Sequence, residues 1–265
     1  MWGKYFQVEA KPYILPSEQH ANDNLTNALC LADWTEFEIP NGAARLIGMT
    51  IIYRGKNGAD VAPTDFEIIW AKGNPDGTAP TSLATVATAV GVPTVGSPPW
   101  FNLIQGKTYV DVSNGLDDGD LTYLNIVSVP NVSGGVEAAS SIDGFPNVSN
   151  LVLQGQPNSG SNVGYDKLYC ALIAKATHTW GASTIAVDGI SPITGKTLTV
   201  KTVVANIMFA PGDVLYDEND RLMGTVKSVD SATQMTMEDN LSNASVDDAV
   251  LYNASPIKLI LSFEK

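Results

Sequence analysis

The chain has 265 residues, of which 44% are hydrophobic and 16% are charged, and its net charge is −13 at pH 7. This length suffices for a substantial core, in two domains or in one large β domain with an insertion. Phosphate binding needs clustered lysine and arginine, and anionic lipid repels acid, so nucleic acid and membrane are not expected as partners. The low charged fraction, against about 25% in a typical soluble domain, indicates a surface that packs against neighbouring proteins.

Alternating apolar and polar residues, bounded by Gly, Pro, Asn or Asp, predict short β-strands along most of the chain. In the first half the pattern occurs in KYFQVEA, EFEIP, RLIGMTIIYRG, DFEIIWAKG, KTYVDVS, LTYLNIVSV and NLVLQG. Residues 17–32 and 81–90 are candidates for short helices, with a loop packed on the sheet as the alternative. Residues 131–164 are rich in Gly, Ser, Asn and Pro and are interpreted as a long surface excursion that could act as a contact arm.

Two strong strands, KLYCALIAKATHTW and PIKLILSFEK, flank a segment whose strands are shorter and whose turns are tighter. This segment contains STIAVDG, KTLTVKTV, DVLYDEND, RLMGTVKSV, TQMTMED and AVLYN. We therefore predict an all-β chain: a two-layer, jelly-roll-like β-sandwich with a small β-barrel-like module inserted before its last strand. The sandwich would comprise residues 1–180 and 256–265, and the module residues 181–255, because insertions are tolerated at exposed loop tips.

The acidic sequence DEND at residues 217–220 has three interpretations: a calcium loop, a catalytic carboxylate pair, or a tight turn between strands. An EF-hand loop needs an oxygen ligand at its fifth position and Gly at its sixth, where this chain has Arg221 and Leu222. A catalytic pair needs one carboxyl group in an apolar pocket, and four consecutive polar residues are the opposite environment. The sequence therefore predicts a turn, with Gly224 marking a bulge or a close backbone approach.

The residues around this turn resemble a known group of proteins. GDxLY at residues 212–216, a polar turn, GTV at residues 224–226 and the following SVDSAT resemble a small β module of virion proteins of tailed bacteriophages. In the first half, FEIPNGAARLIGMTIIYRGKNGA and DFEIIWAKGNPDGTAPTSLATV resemble structural proteins of phages of marine bacteria and cyanobacteria. The resemblance covers about half of the chain and implies a virion component. Its motifs are structural, so it transfers no functional residues.

Motifs for enzymatic chemistry are incomplete. GISPITGKT at residues 189–197 has five residues where a phosphate-binding loop has four, and the β-branched residues after it predict a strand instead of the required helix. The Gly-Lys-Thr at residues 106–108 likewise precedes a predicted strand. The histidines, His20 and His178, belong to no nucleophile or zinc motif, and no G-x-S-x-G occurs. We expect neither an enzyme nor a cofactor.

Metal ions are not expected, although the acidic loop GLDDGDL leaves calcium open as an alternative to a solvated turn. Its three candidate ligands are Asp117, Asp118 and Asp120. Cys30 and Cys170 are expected to be buried free thiols, with a disulfide as the alternative, because a free cysteine behaves as a small apolar residue.

Aromatic residues supply the candidate partner contacts. Trp70 lies in the middle of a predicted strand and is expected in the core. Trp100 lies in the Pro-rich loop GSPPWFN and Trp180 at a strand end, and together with Phe145 they are predicted to contact a partner. A sugar-binding face built from tryptophans is the alternative.

These observations predict a non-enzymatic virion structural protein, with a capsid decoration or cement protein favoured. It would be made in the host cytoplasm, assemble as a homo-oligomer, expected to be a trimer, and bind the major capsid protein on the outer surface of the head. Two alternatives stay open: a receptor- or carbohydrate-binding module of a tail or fibre, and a tail or neck component without a ligand. No secretory signal or membrane-spanning run of about 18 apolar residues is expected.

Overall fold

The computed structural model describes residues 5–17, 29–54, 65–84, 86, 102–110, 116–117, 122–128, 151–157, 164–175, 185–201 and 208–265. Within them sixteen strands occur in this order: β1 (Tyr5–Ala10), β2 (Cys30–Pro40), β3 (Ala43–Arg54), β4 (Phe66–Lys72), β5 (Ile104–Val110), β6 (Leu116–Asp117), β7 (Thr122–Ser128), β8 (Val152–Gln154), β9 (Gln156–Pro157), β10 (Tyr165–Ala174), β11 (Thr197–Thr199), β12 (Val214–Asp217), β13 (Leu222–Ser231), β14 (Gln234–Met237), β15 (Leu251–Asn253) and β16 (Ile257–Glu264).

Two antiparallel sheets form a sandwich. The first has the order β1-β16-β3-β7-β6, with β8 also pairing β3, and the second has the order β2-β10-β4-β5, with β9 also pairing β10. If the short strands β6, β8 and β9 are set aside, eight main strands remain. In chain order they are β1, β2, β3, β4, β5, β7, β10 and β16, numbered here 1 to 8. With these numbers the first sheet has the order 1-8-3-6 and the second sheet has the order 2-7-4-5. This is the strand order of a jelly roll, and it confirms the predicted fold class.

The sandwich core lies between the two sheets. Phe37 of β2 stacks near Phe263 of β16 with ring centroids 6.3 Å apart, and Tyr53 of β3 meets Phe66 of β4 edge-on at 5.7 Å. Trp70 is fully buried, as predicted, and its indole N–H donates a hydrogen bond to Thr108 Oγ1 at 2.9 Å. The two ring pairs, Phe37 with Phe263 and Tyr53 with Phe66, hold the two sheets against each other, because large rings bury more area than any other side chains.

The last strand, β16, shows the alternating burial that its sequence predicts. Burial alternates residue by residue along β16, so that Ile257, Leu259, Leu261 and Phe263 face the core and the residues between them do not. A period of two is the geometry of a strand with one buried face. β16 pairs with both β1 and β3 and is therefore an interior strand of the first sheet.

A third sheet, with the order β11-β14-β13-β12-β15, has a hydrophobic cluster of its own. Val187 forms a bridge with Val200, directly after β11, and Ala186 forms a bridge with Val250, directly before β15. The segment at residues 185–187 thereby joins the two outer strands and closes the sheet into a small barrel. These strands lie between β10 and β16 along the chain; residues 180 and 181, where the predicted boundary falls, lie outside the described residues.

The candidate helix at residues 17–32 is wrong at its C-terminal end. Cys30 and Ala32 already belong to β2, where they pair with Ile173 and Leu172 of β10. At residues 81–84 the structure has no helix either. Leu83 is buried against the outer face of the second sheet, and its N–H donates to Asp33 Oδ1 at 2.9 Å. Burial on the sheet outweighs weak helix propensity at both places, and at residues 81–84 the packed loop is what forms.

The segment after β1 connects the sandwich to the barrel. Ile14 is buried in the sandwich core, and its N–H donates to the carbonyl of Ala254, which follows β15, at 2.9 Å. Tyr13 meets Tyr216 of β12 edge-on, with ring centroids 5.7 Å apart. These contacts hold the inserted barrel against the sandwich at a second place, in addition to the chain crossing between β15 and β16.

Candidate partner interface

The predicted turn at residues 217–220 connects β12 to β13. Asp217 Oδ1 accepts hydrogen bonds from the N–H groups of Asn219 and Arg221, each at 3.0 Å, and Oδ2 accepts from Arg221 Nε at 2.7 Å. The predicted turn is thus confirmed. Its first residue, Asp217, is nevertheless buried, with only 1% of its surface exposed. The guanidinium, which disqualified the sequence as a calcium loop, is the ion partner that makes this burial tolerable.

The other two carboxylates of the turn bind neighbouring segments. Glu218 accepts a hydrogen bond from the N–H of Val250, beside β15. Asp220 has a φ of +57°, a left-handed conformation that Asp and Asn adopt more readily than most other residues, and it accepts hydrogen bonds from Ser17. The acidic cluster therefore joins four segments of the fold.

Gly224 lies at a bulge, which is one of the two alternatives predicted for it. Leu215 pairs with Gly224 while Tyr216 pairs with Leu222, so that Met223 is the extra residue of a β-bulge. The φ of Gly224 is +140°, and a Cβ placed there would lie 3.3 Å from Met237 Cε in the barrel core. Only glycine meets both demands without strain.

The three predicted partner contacts, Trp100, Trp180 and Phe145, lie outside the described residues. His20, His178, Asp118 and Asp120 also lie outside them, whereas Asp117 is in β6. In the part of the chain that the structure describes, no group of three or more His, Cys, Asp and Glu side chains is placed to hold a metal ion.

Both cysteines are free and buried, as expected. Burial raises the pKa of the Cys170 thiol to about 12. A nucleophilic cysteine requires the opposite shift, because the thiolate is the reactive form. Cys170 lies on β10 within the sandwich core and contributes packing.

A buried ion cluster lies on the outer face of the second sheet, on β4, β5 and the end of β10. Glu67 is 2% exposed, and its Oε1 lies 2.7 Å from Lys107 Nζ and 3.5 Å from Lys175 Nζ. Glu67 Oε2 finds no hydrogen-bond partner among the described residues. Nearby, the phenol of Tyr109 donates to Asp65 at 2.5 Å. The opposite charges of the cluster compensate one another, which permits their burial.

An open groove of about 420 Å³ separates the edge strands of the two sheets, β1 and β2. Phe6, Val8 and Pro40 supply apolar walls, and Tyr165 adds an aromatic ring. Gln7 and Glu38 supply polar groups at the same groove; these six residues line it. Such a mixture of ring faces and hydrogen-bonding groups is typical of a small-molecule or sugar site.

Three of the six large apolar residues that are exposed among the described residues lie on two adjoining loops of the barrel. Ile190 is 75% exposed, Ile193 56% and Val246 50%, and Pro192 between the isoleucines is also exposed. We call these four residues the module tip. They belong to two loops, residues 188–196 before β11 and residues 242–249 before β15. Single exposed apolar residues are ordinary, whereas several on adjoining loops indicate an interaction site.

Hydrogen bonds hold the two loops of the module tip together. The N–H of Ser191 donates to Ser245 Oγ at 2.6 Å, and the N–H of Ser245 donates back to the carbonyl of Ser191 at 3.0 Å. The N–H of Gly189 donates to Asp247 Oδ1 at 2.9 Å, and Ser191 Oγ donates to the carbonyl of Thr197 at 2.9 Å. Ser245 is buried, so the apolar side chains project from a fixed backbone.

Carboxylates surround the module tip. Asp247 and Asp248 both pair with Lys201, at 2.9 and 2.5 Å, and these hydrogen bonds raise the pKa of Lys201 to about 12. A hydrogen bond from the N–H of Gly189 lowers the pKa of Asp247, and a hydrogen bond from Lys201 lowers it further. Five exposed acids belong to these loops and to the adjacent turn after β14, against two lysines: Asp188, Glu238, Asp239, Asp247 and Asp248, with Lys196 and Lys201.

Sequence reasoning did not find the module tip. GISPITGKT was considered only as a phosphate-binding loop, and its rejection was right, because strand β11 follows it where that loop needs a helix. The available signal was Gly189, Pro192 and Gly195, three turn-forming residues that place both isoleucines in a loop.

No protein-family model matches this chain, and no curated protein matches it. No helix within the described residues has the length and apolar character needed to cross a membrane.

Proposed function

We propose that this chain is a non-enzymatic structural protein of a phage virion that decorates or cements the outer surface of the head. The observation that carries the proposal is the module tip, a rigid group of exposed apolar side chains at the end of a barrel inserted into a jelly roll. Exposed apolar area on fixed loops favours a protein that packs against another protein. Jelly rolls are a common architecture of viral capsid domains, which is support by analogy of fold alone.

The resemblance of GDxLY and GTV to phage virion modules supports the same proposal. In the acidic turn, the carboxylate of Asp217 accepts hydrogen bonds from Asn219 and Arg221 of the same turn, and that of Glu218 accepts one from the N–H of Val250. We further propose a homo-oligomer, a trimer, on the major capsid protein. A standard protein contact buries about 1,600 Å², and repetition over the head lattice multiplies the effect of each contact.

The deciding experiment locates the protein in the particle. Virions carrying an epitope-tagged copy are labelled with antibody–gold and imaged, and the copies per particle are counted by quantitative mass spectrometry. We expect label over the whole head and copy numbers that are a multiple of the capsid symmetry. Label confined to the tail, the neck or fibres would contradict the decoration role, and absence from purified particles would contradict the virion assignment.

The second candidate function is binding of a receptor glycan, and the groove between β1 and β2 is the observation that favours it. Aromatic rings stack on the apolar faces of sugars, and Tyr165 and Phe6 line this groove beside Gln7 and Glu38. A glycan array with the wild type and with Tyr165→Ala tests it. Tyr5→Ala is the matched control, because Tyr5 is exposed on β1 but does not line the groove. Binding that Tyr165→Ala removes and Tyr5→Ala retains would favour this function.

A further inference from the structure

We propose that the module tip is the part of this protein that docks on the head, and that it inserts into an apolar pocket rimmed by lysine or arginine on the capsid protein. This inference rests on the proposed function and deepens it by naming the contact surface and the chemistry of its partner. It is carried by Ile190, Ile193 and Val246, three large exposed apolar side chains on hydrogen-bonded loops.

The apolar centre of the tip has the form of a binding hot spot. Isoleucine at 75% exposure has most of its side chain available for burial, and removing that area from water is the main source of contact free energy. The reciprocal bonds between Ser191 and Ser245 fix the loops before the partner arrives. Little conformational freedom is then lost on binding, which strengthens the contact.

The charges of the surrounding loops specify the partner. Asp188, Asp247 and Asp248 lie on the loops that carry the apolar residues, and Glu238 and Asp239 lie on the adjacent turn, so acid remains in excess after Lys201 pairs with Asp247 and Asp248. A second copy of the tip would bring acids against acids, and anionic lipid or nucleic acid would be repelled in the same way. A protein surface with a basic rim is complementary to this arrangement.

The experiment uses heads assembled without this protein, to which purified full-length protein is added. Bound copies per head are measured by co-sedimentation over a concentration series at low salt. The test variant is Ile190→Ser/Ile193→Ser. The matched control is Val152→Ser, which removes from β8 of the sandwich an apolar side chain that is 54% exposed, close to the 56% of Ile193. Since all three positions are exposed, each variant should unfold at the wild-type temperature.

We expect the double variant to bind about tenfold more weakly or worse, and Val152→Ser to bind as the wild type does. Asp188→Lys should also weaken binding, and added salt should weaken the wild type, because the rim contact is electrostatic. Undiminished binding by the folded double variant would overturn the inference and leave the proposed function standing. Binding by the double variant but not by Val152→Ser would move the contact to the sandwich. Failure of the wild type to bind heads would overturn the proposed function itself, and the inference with it.

Discussion

Asp220, in the turn between β12 and β13, accepts two hydrogen bonds from Ser17, from the N–H at 3.0 Å and from Oγ at 2.6 Å. The two residues are 203 positions apart in the chain. Ser17 lies in the segment that follows β1 of the sandwich, and Asp220 belongs to the inserted barrel. One carboxylate thus completes a left-handed turn and joins the two units.

Replacing Asp220 should destabilise the protein through two separable effects. Asp220→Ala removes both acceptors and places an L-residue without local hydrogen bonds at a φ of +57°, and we expect a loss of about 1–3 kcal/mol. Asp220→Gly removes the same acceptors but relieves the backbone, so it should lose less. Urea unfolding of both variants and of Ser17→Ala measures the parts. Equal losses for Ala and Gly would show that the backbone conformation contributes nothing.

The buried cluster of Glu67, Lys107 and Lys175 should be sensitive to loss of its acid. Glu67→Gln leaves two largely buried ammonium groups without their carboxylate, and a loss of about 3–5 kcal/mol is expected. Glu9→Gln is the control, since Glu9 pairs with Lys258 at 2.8 Å on the surface and should cost at most about 1 kcal/mol.

A double-mutant cycle tests whether the cluster acts as an ion pair. Lys107→Met combined with Glu67→Gln should cost less than the sum of the single changes, by about 0.5–3 kcal/mol. The free energies of unfolding from urea titration supply all four corners of the cycle. Additive losses would mean that Glu67 and Lys107 contribute independently, in spite of the 2.7 Å between Nζ and Oε1.

Gly155 is the point where the chain passes from one sheet to the other, since β8 before it pairs with β3 and β9 after it pairs with β10. A Cβ at Gly155 would lie 2.3 Å from Asp166 Cβ on β10. Gly155→Ala must therefore displace backbone, and we expect a loss of at least about 1–3 kcal/mol.

Gly164→Ala is the control for Gly155→Ala, because a Cβ at Gly164 meets nothing within 4 Å. Thermal unfolding of the two variants should separate them by several degrees. Similar unfolding temperatures would show that the structure around Gly155 accommodates an added methyl group with no loss of stability.

Cys170 should make stability fall at alkaline pH. Its pKa is raised from 9.0 to about 12 by burial, so between these values the unfolded chain releases a proton that the native chain retains. Stability is then unaffected by this group below pH 9 and decreases as pH rises through the window, by up to about 1.4 kcal/mol per pH unit. Urea unfolding at pH 8, 9, 10 and 11 measures the slope, and Cys170→Ala should reduce it.

The same burial should protect Cys170 from alkylation. Iodoacetamide at pH 8 should label this residue far more slowly in the native protein than in urea, as followed by peptide mass spectrometry, because the thiolate is scarce and covered. Rapid labelling of the native protein would contradict the burial of β10 in the sandwich core.

Local patterning determined the elements of this protein. The alternation in PIKLILSFEK is the burial alternation of β16, and DEND between two alternating segments is the turn from β12 to β13. The bulge at Gly224 also followed from residue type. These features depend on residues a few positions away, on the pleat of a strand and on the steric freedom of one residue type. They can therefore be predicted from the sequence.

Which segments cover each face, and which distant residues meet, depends on the packing of the whole chain. Nothing near Asp220 in the sequence points to Ser17, and Glu67, Lys107 and Lys175 come from β4, from β5 and from the residue after β10. Asp217 in a polar turn is buried, while Ile190 and Ile193 in the loop before β11 are exposed. The hydrophobicity of a side chain determines whether its burial is favourable. Whether the side chain is buried depends on which segments pack over it, and the strand order of the jelly roll sets that packing.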